Sequence, residues 1–219
     1  EKSAIVGAYI NDTERHYFPI RTYKNMDSDP LSAILNVLSR VRDDNASAAV
    51  QYVLRSAHKK WRRPAVRLVR EVKKGKKFEQ IAAQGPITRA LYIFRNELAA
   101  VTRKKDGAPE KKYELSPLEE EMVKGIEEKL SKGGLDVTIR LLSVSDHEEL
   151  AKQHLDNLVN AFSQYNSYRY GNRFSAVIPR KQSLLIRDFI HRSIHEKRKV
   201  LMNTEEMTSL WHLPLHSTE

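Results

Sequence analysis

The sequence has no cysteine in its 219 residues. This excludes a disulfide framework, a thiol nucleophile and any zinc site built on Cys ligands, and it fits a cytosolic compartment. Glycine and proline are sparse, eight of each, so each one at the edge of a periodic segment punctuates the chain. No run approaches the roughly 18 apolar residues of a membrane span. The opening stretch, Glu1–Ile10, lacks a signal-peptide layout. It starts without Met inside a strand-like pattern, which reads as a fragment or processed chain.

Catalytic signatures are missing too. A phosphate-binding loop needs an early glycine and a Gly-Lys-Ser/Thr end, because backbone amides and the Lys together cradle the phosphates. Gly75-Lys76 is followed by Lys77 and has no such glycine before it. His147-Glu148 has Ala151 where a metalloprotease helix places its second His. His191 and His195 are four apart but lack a nearby third ligand and sit among Arg192, Lys197 and Arg198. No nucleophile-elbow motif occurs. The sequence therefore predicts no metal, no cofactor and no enzymatic centre in this chain.

What is present is charge. The net formal charge is +10. Between His58 and Lys77 stand ten Lys or Arg against Glu71 alone, so this window holds nine of those charges. If Pro64–Lys77 is helical, Arg63, Arg67, Arg70, Lys74 and Lys77 line one face at 4-3-4-3 spacing, with Leu68, Val69 and Val72 on another. Such a face suits nucleic-acid phosphates or an anionic membrane surface, and Trp61 beside it suits stacking on a base. A solvated basic helix with Trp61 in the core, or an acidic protein partner, fits the same residues.

The remaining chain, with 40% hydrophobic residues overall, alternates helical and strand periods. Ser116-Pro117 with Glu119 forms a capping box, Leu118, Met122, Ile126 and Leu130 make a helical stripe, and Gly133-Gly134 ends it. Leu135, Val137, Ile139 and Leu141 then alternate as in a half-buried strand. Ala4–Ile10, His16–Tyr23, Ala48–Arg55 and Arg173–Ile178 read as further strands, with Pro19 interrupting the second. Helices are expected at 30–42, 87–103, 147–165 and 182–198, with a polar loop at 104–112. Asp29-Pro30 and Ser116-Pro117 open similar helix–strand units with an outward Arg55 and Arg140. Duplication and the common way α–β units begin both account for this.

The expected fold is α+β. It has two layers, a mostly antiparallel sheet of four to five strands, and helices on one face. Strands at 16–23, 48–55, 135–142 and 173–178 form ferredoxin-like halves, with a basic helical insertion at 60–131. A side-by-side tandem of α–β units competes with it. Residues 1–59 and 132–200 would form the core, and 201–219 a junction segment.

The tail Leu201-Met202-Asn203-Thr204-Glu205-Glu206-Met207-Thr208-Ser209-Leu210-Trp211-His212-Leu213-Pro214 resembles the motif preceding the motor in conjugative-transfer, type IV secretion-like ATPases of the HerA–FtsK superfamily. Asp29-Pro30-Leu31, Ala48–Arg55 with Trp61, Glu127–Arg140, Phe162–Asn166 and Arg187–Arg192 are similar in order. The resemblance implies a non-catalytic accessory domain, with the parent protein an ATPase. It would sit at the inner face of the cell membrane, contacting other secretion or conjugation subunits or forming oligomers. Thr204, Glu205, Glu206, Leu210, Trp211, His212 and Pro214 would mark the junction, with Trp211 and His212 packed on the domain. The alternative is a free-standing, sequence-independent nucleic-acid-binding protein using residues 58–77.

Overall fold

The computed structural model describes residues 3–43, 46–75, 115–167 and 171–213. The expected helix at 87–103 and loop at 104–112 lie outside them. The chain divides into two compact units, residues 1–59 with 128–219, and residues 60–127.

The first unit is built on an antiparallel sheet of β1 (Ala4–Asp12), β2 (Ser47–Ser56), β3 (Gly134–Ser145), β4 (Phe174–Val177) and β5 (Val200–Asn203). The strand order is β2-β3-β1-β4, and β5 also pairs with β3. Helix α1 (Pro30–Asp43) connects β1 to β2, and a helix at Glu148–Ala161 connects β3 to β4. These are the two ferredoxin-like halves of an α+β fold. β3 is long enough to hold β1 along Ile139–Ser145 and β5 along Gly134–Val137.

The period of two on β3 sorts its side chains. Val137, Ile139 and Leu141 join Ala8 and Ile10 of β1 in the main core, with Ile34 of α1 and Leu155 and Leu158 of the 148–161 helix. Phe162, Tyr165 and Phe174 close that core with ring centroids 6.0–6.2 Å apart. On the opposite face Tyr9 and Leu142 pack with Leu185 of the helix Gln182–Ile190. That approach depends on Gly7, where an added Cβ would lie 2.7 Å from Leu142 Cδ2 and 2.8 Å from the Leu141 carbonyl.

Three expectations are corrected. The first strand of the sheet is Ala4–Asp12, whereas 16–23 is irregular until a 3-10 turn at Tyr23–Asn25. Pro19 has no N–H to offer a ladder, and the neighbouring groups bond elsewhere: Arg21 N–H to the Tyr165 carbonyl, and Asn172 N–H to the Pro19 carbonyl. The 182–198 helix ends at Ile190, followed by Arg192 at φ 51°. Finally, Leu201–Leu210 packs into the first unit rather than lying beyond it, with Val200–Asn203 buried in the sheet and Met207 and Leu210 in the main core.

The tail is held by a buried ion pair. Glu206 belongs to the helix Thr204–Leu210, and its Oε2 lies 3.1 Å from Lys129 Nζ, with both side chains at most 2% exposed. Lys129 also donates to the Phe18 carbonyl at 3.0 Å. Glu206 accepts from Ile20 N–H at 3.0 Å and from Asn203 N–H at 2.8 Å. Lys129→Met, which strands the buried carboxylate, is expected to lose about 3–5 kcal/mol in urea unfolding. Adding Glu206→Gln should recover part of that loss, since the neutral amide removes the stranded charge and its one oxygen still accepts from one of the two N–H groups. A single variant as stable as the parent would show that the pair contributes nothing.

Candidate functional site

The second unit carries the basic face. Helix α2 (Arg62–Lys73) follows a 3-10 turn at Lys59–Trp61 and ends at Gly75, whose φ of 87° suits glycine. Ala65, Leu68, Val69 and Val72 are buried on it. Arg63, Arg67, Arg70 and Lys74 are exposed. At about 100° per residue the four cations fall within roughly a 60° arc, and the buried residues centre about 180° away. Lys77 lies outside the described residues.

Ion pairs thin at the centre of this face. Lys73 meets Glu127 of the helix α3 (Pro117–Ser131) at 2.6 Å, and Lys74 is 3.5 Å from Glu71. Among the described residues, Arg63, Arg67 and Arg70 have no carboxylate partner. Trp61 is half-buried, with the Arg62 guanidinium 5.2 Å from its ring centroid, so its near face is already occupied by a cation. The Ser116–Glu119 capping box forms as expected, with reciprocal bonds of 2.9 and 3.3 Å.

The junction residues come together in the first unit. Asn203 is the N-cap of the helix at 204–210, which Thr204 opens: the Asn203 side chain accepts from Glu206 N–H at 2.8 Å while the Glu206 carboxylate accepts from Asn203 N–H. Glu205 meets Lys132, and Lys24 at 2.6 Å. Thr22 donates to the same carboxylate at 3.3 Å. Leu210 is fully buried. His212 Nε2 lies 3.2 Å from Asp29 Oδ2, and its Nδ1 is 3.1 Å from the Thr208 carbonyl. Pro214 falls outside the described residues. Trp211 corrects the packing expectation. It is 56% exposed and Leu213 75%, because the chain turns extended at Trp211 after Leu210 has filled the core.

A cluster that the sequence reading missed lies on the second sheet face. Arg140, expected to point outward, is 0% exposed. Cross-strand register places it between Gln51 and Tyr9. Its Nη1 donates to Gln51 Oε1 at 2.7 Å, its Nη2 donates to the Ser193 carbonyl, and its Cζ is 5.6 Å from the Tyr9 ring centroid. Gln51 Nε2 donates to the Phe189 carbonyl at 3.0 Å, and His195 N–H donates to Thr138 Oγ1 at 3.1 Å. Burial raises the Tyr9 phenol, against the lowering effect of Arg140. Residues 191–199 thus lie across the sheet, and His191 and His195 do not share a helical face. The available signal was the i, i+2 run Asp136-Thr138-Arg140, polar on every second position of a strand otherwise deeply apolar.

Burial alone would raise the Glu205 carboxyl, yet Lys132 and Lys24 outweigh it and hold it below the ordinary range. A depressed carboxyl contributes stability that is present above its unfolded value and lost as pH falls through the folded one. Glu205→Gln should therefore melt below the parent at neutral pH, and the gap should close as pH drops below about 4.3. Leu210→Ala should lose about 2–5 kcal/mol by creating a cavity, whereas Trp211→Ala should stay within about 0.5 kcal/mol. Equal losses in thermal melts would place the indole in the core.

Among the described residues no helix is long and apolar enough to cross a membrane, and no three His, Cys, Asp or Glu side chains gather as metal ligands. No curated protein and no solved structure matches the chain. A family model described as a domain of unknown function, DUF8128, matches residues 1–219, and the chain belongs to that family.

Proposed function

We propose that this chain is a non-catalytic accessory domain of a conjugative-transfer or type IV secretion-like ATPase, working by docking to other subunits at the inner face of the cell membrane. The observation that supports it is the construction of the tail. Glu205 and Glu206 bind the outgoing helix to Thr22, Lys24, Lys129 and Lys132, and Asn203 caps it. His212 ties the next turn to Asp29, the residue that caps α1. The polypeptide then leaves the core at a fixed place, with Trp211 and Leu213 exposed. A junction that transmits position between a domain and a neighbouring machine needs such a stiff exit, because a freely hinged one dissipates displacement.

The test is purification of the full-length protein from its source cells in mild detergent, with ATP hydrolysis assayed in the same fraction. Channel subunits and ATPase activity should co-purify with it, and deletion of its gene should abolish DNA or protein transfer. A protein recovered alone, with transfer unaffected by the deletion, would remove this reading. The isolated 219-residue chain should show no saturable ATP binding by calorimetry.

A further inference from the structure

We infer that helix α2 docks on the phosphate backbone of nucleic acid, without regard to base sequence. The inference stands on the helix itself and not on the ATPase reading. Arg63, Arg67 and Arg70 are exposed on one line and carry no carboxylate partner among the described residues. Lys74 continues the line. At 1.5 Å per residue the four cations span about 16 Å, in a helix whose opposite side is fully used for packing.

Charge alone would suit three kinds of partner, and two observations separate them. A membrane-surface helix inserts its apolar side chains below the headgroups. Here Ala65, Leu68, Val69 and Val72 are the buried set, and among the apolar residues from Ala65 to Val72 only Val66 is exposed. One exposed valine is too little apolar surface to seat a helix among headgroups. An acidic protein surface sets carboxylates among cations and neutral groups, whereas a nucleic-acid backbone presents an unbroken row of one sign. The α2 face matches the row: its only acid, Glu71, points toward Lys74 at the C-terminal end. Arginine also offers the planar fork that grips phosphate oxygens in pairs. No Asn, Gln, Ser or Thr interrupts the face to read adenine or thymine edges. Positioning contacts without edge readers give affinity without sequence preference.

The test uses the full chain with a fluorescent 30-base-pair duplex in two unrelated sequences, the matching single strand, and vesicles of phosphatidylserine and phosphatidylcholine. Both duplexes should bind alike. The log–log salt slope should be roughly −3 to −4, because each of four neutralised phosphates releases about 0.9 counterion. Arg63, Arg67 and Arg70 changed together to Gln should flatten the slope by about 2.7 and weaken binding at least tenfold at low salt, with circular dichroism and melting temperature unchanged. The same three positions changed to Lys should keep most of the slope. Three outcomes would overturn the inference: no duplex or single-strand binding at low salt, binding that the Gln variant leaves intact, or capture by anionic vesicles without nucleic acid. Should the Gln variant melt early, the Lys variant decides, since it preserves charge and helix propensity together. A folded Lys variant without salt-sensitive binding would then overturn the inference.

Discussion

The first unit depends on one buried charge pair. Lys129 and Glu206 are 77 positions apart in sequence and almost wholly removed from water. Desolvating two ions is unfavourable by several kcal/mol each unless their geometry and remaining hydrogen bonds are complete. Here they are nearly complete: a carbonyl at Phe18, N–H groups at Ile20 and Asn203, and the ion pair itself. The arrangement uses the irregular 16–23 segment as a source of unpaired backbone groups. It explains why that segment is not a strand, since its polar atoms are committed to Glu206, Lys129, Tyr165 and Asn172.

Around this pair the sheet divides its labour by face. One side of β3 is apolar and joins the core formed with α1 and the 148–161 helix. The other carries Asp136, Thr138 and Arg140, each answered by the chain that follows residue 190: Lys199 to Asp136, His195 to Thr138, and Ser193 to Arg140. A fully buried guanidinium is tolerable because its terminal nitrogens donate and the Tyr9 ring shields its flank. The polar ladder therefore sets the path of 191–199 and, through it, the register at which β5 joins Gly134–Val137. The tail helix and its exposed Trp211 follow from that register. The α2 face is a separate device, since a helix with one side buried and arginines opposite needs nothing from the sheet to present charge.

Much of this was legible from local pattern. Asp29-Pro30, Ser116-Pro117-x-Glu119 and Gly133-Gly134 set helix ends because capping and φ preference are local properties. Alternation on Leu135–Leu141, and the shared antiparallel layer of β2 and β3, follow from a period that side-chain burial enforces. The 4-3-4 spacing of Arg63, Arg67, Arg70 and Lys74 alone put them on one face, because a helix repeats every 3.6 residues. Tertiary structure decided whatever turned on a distant partner. Arg140 and Arg55 look alike in sequence, yet one is buried between Tyr9 and Gln51 while the other pairs at the surface with Glu196. Glu205 and Glu206 are adjacent and chemically identical, and only Lys129 selects the second for burial. Trp211 became a surface residue because Leu210 reached the core first. A pattern specifies which face a side chain takes, but the partner across the fold determines whether a charge there can be buried.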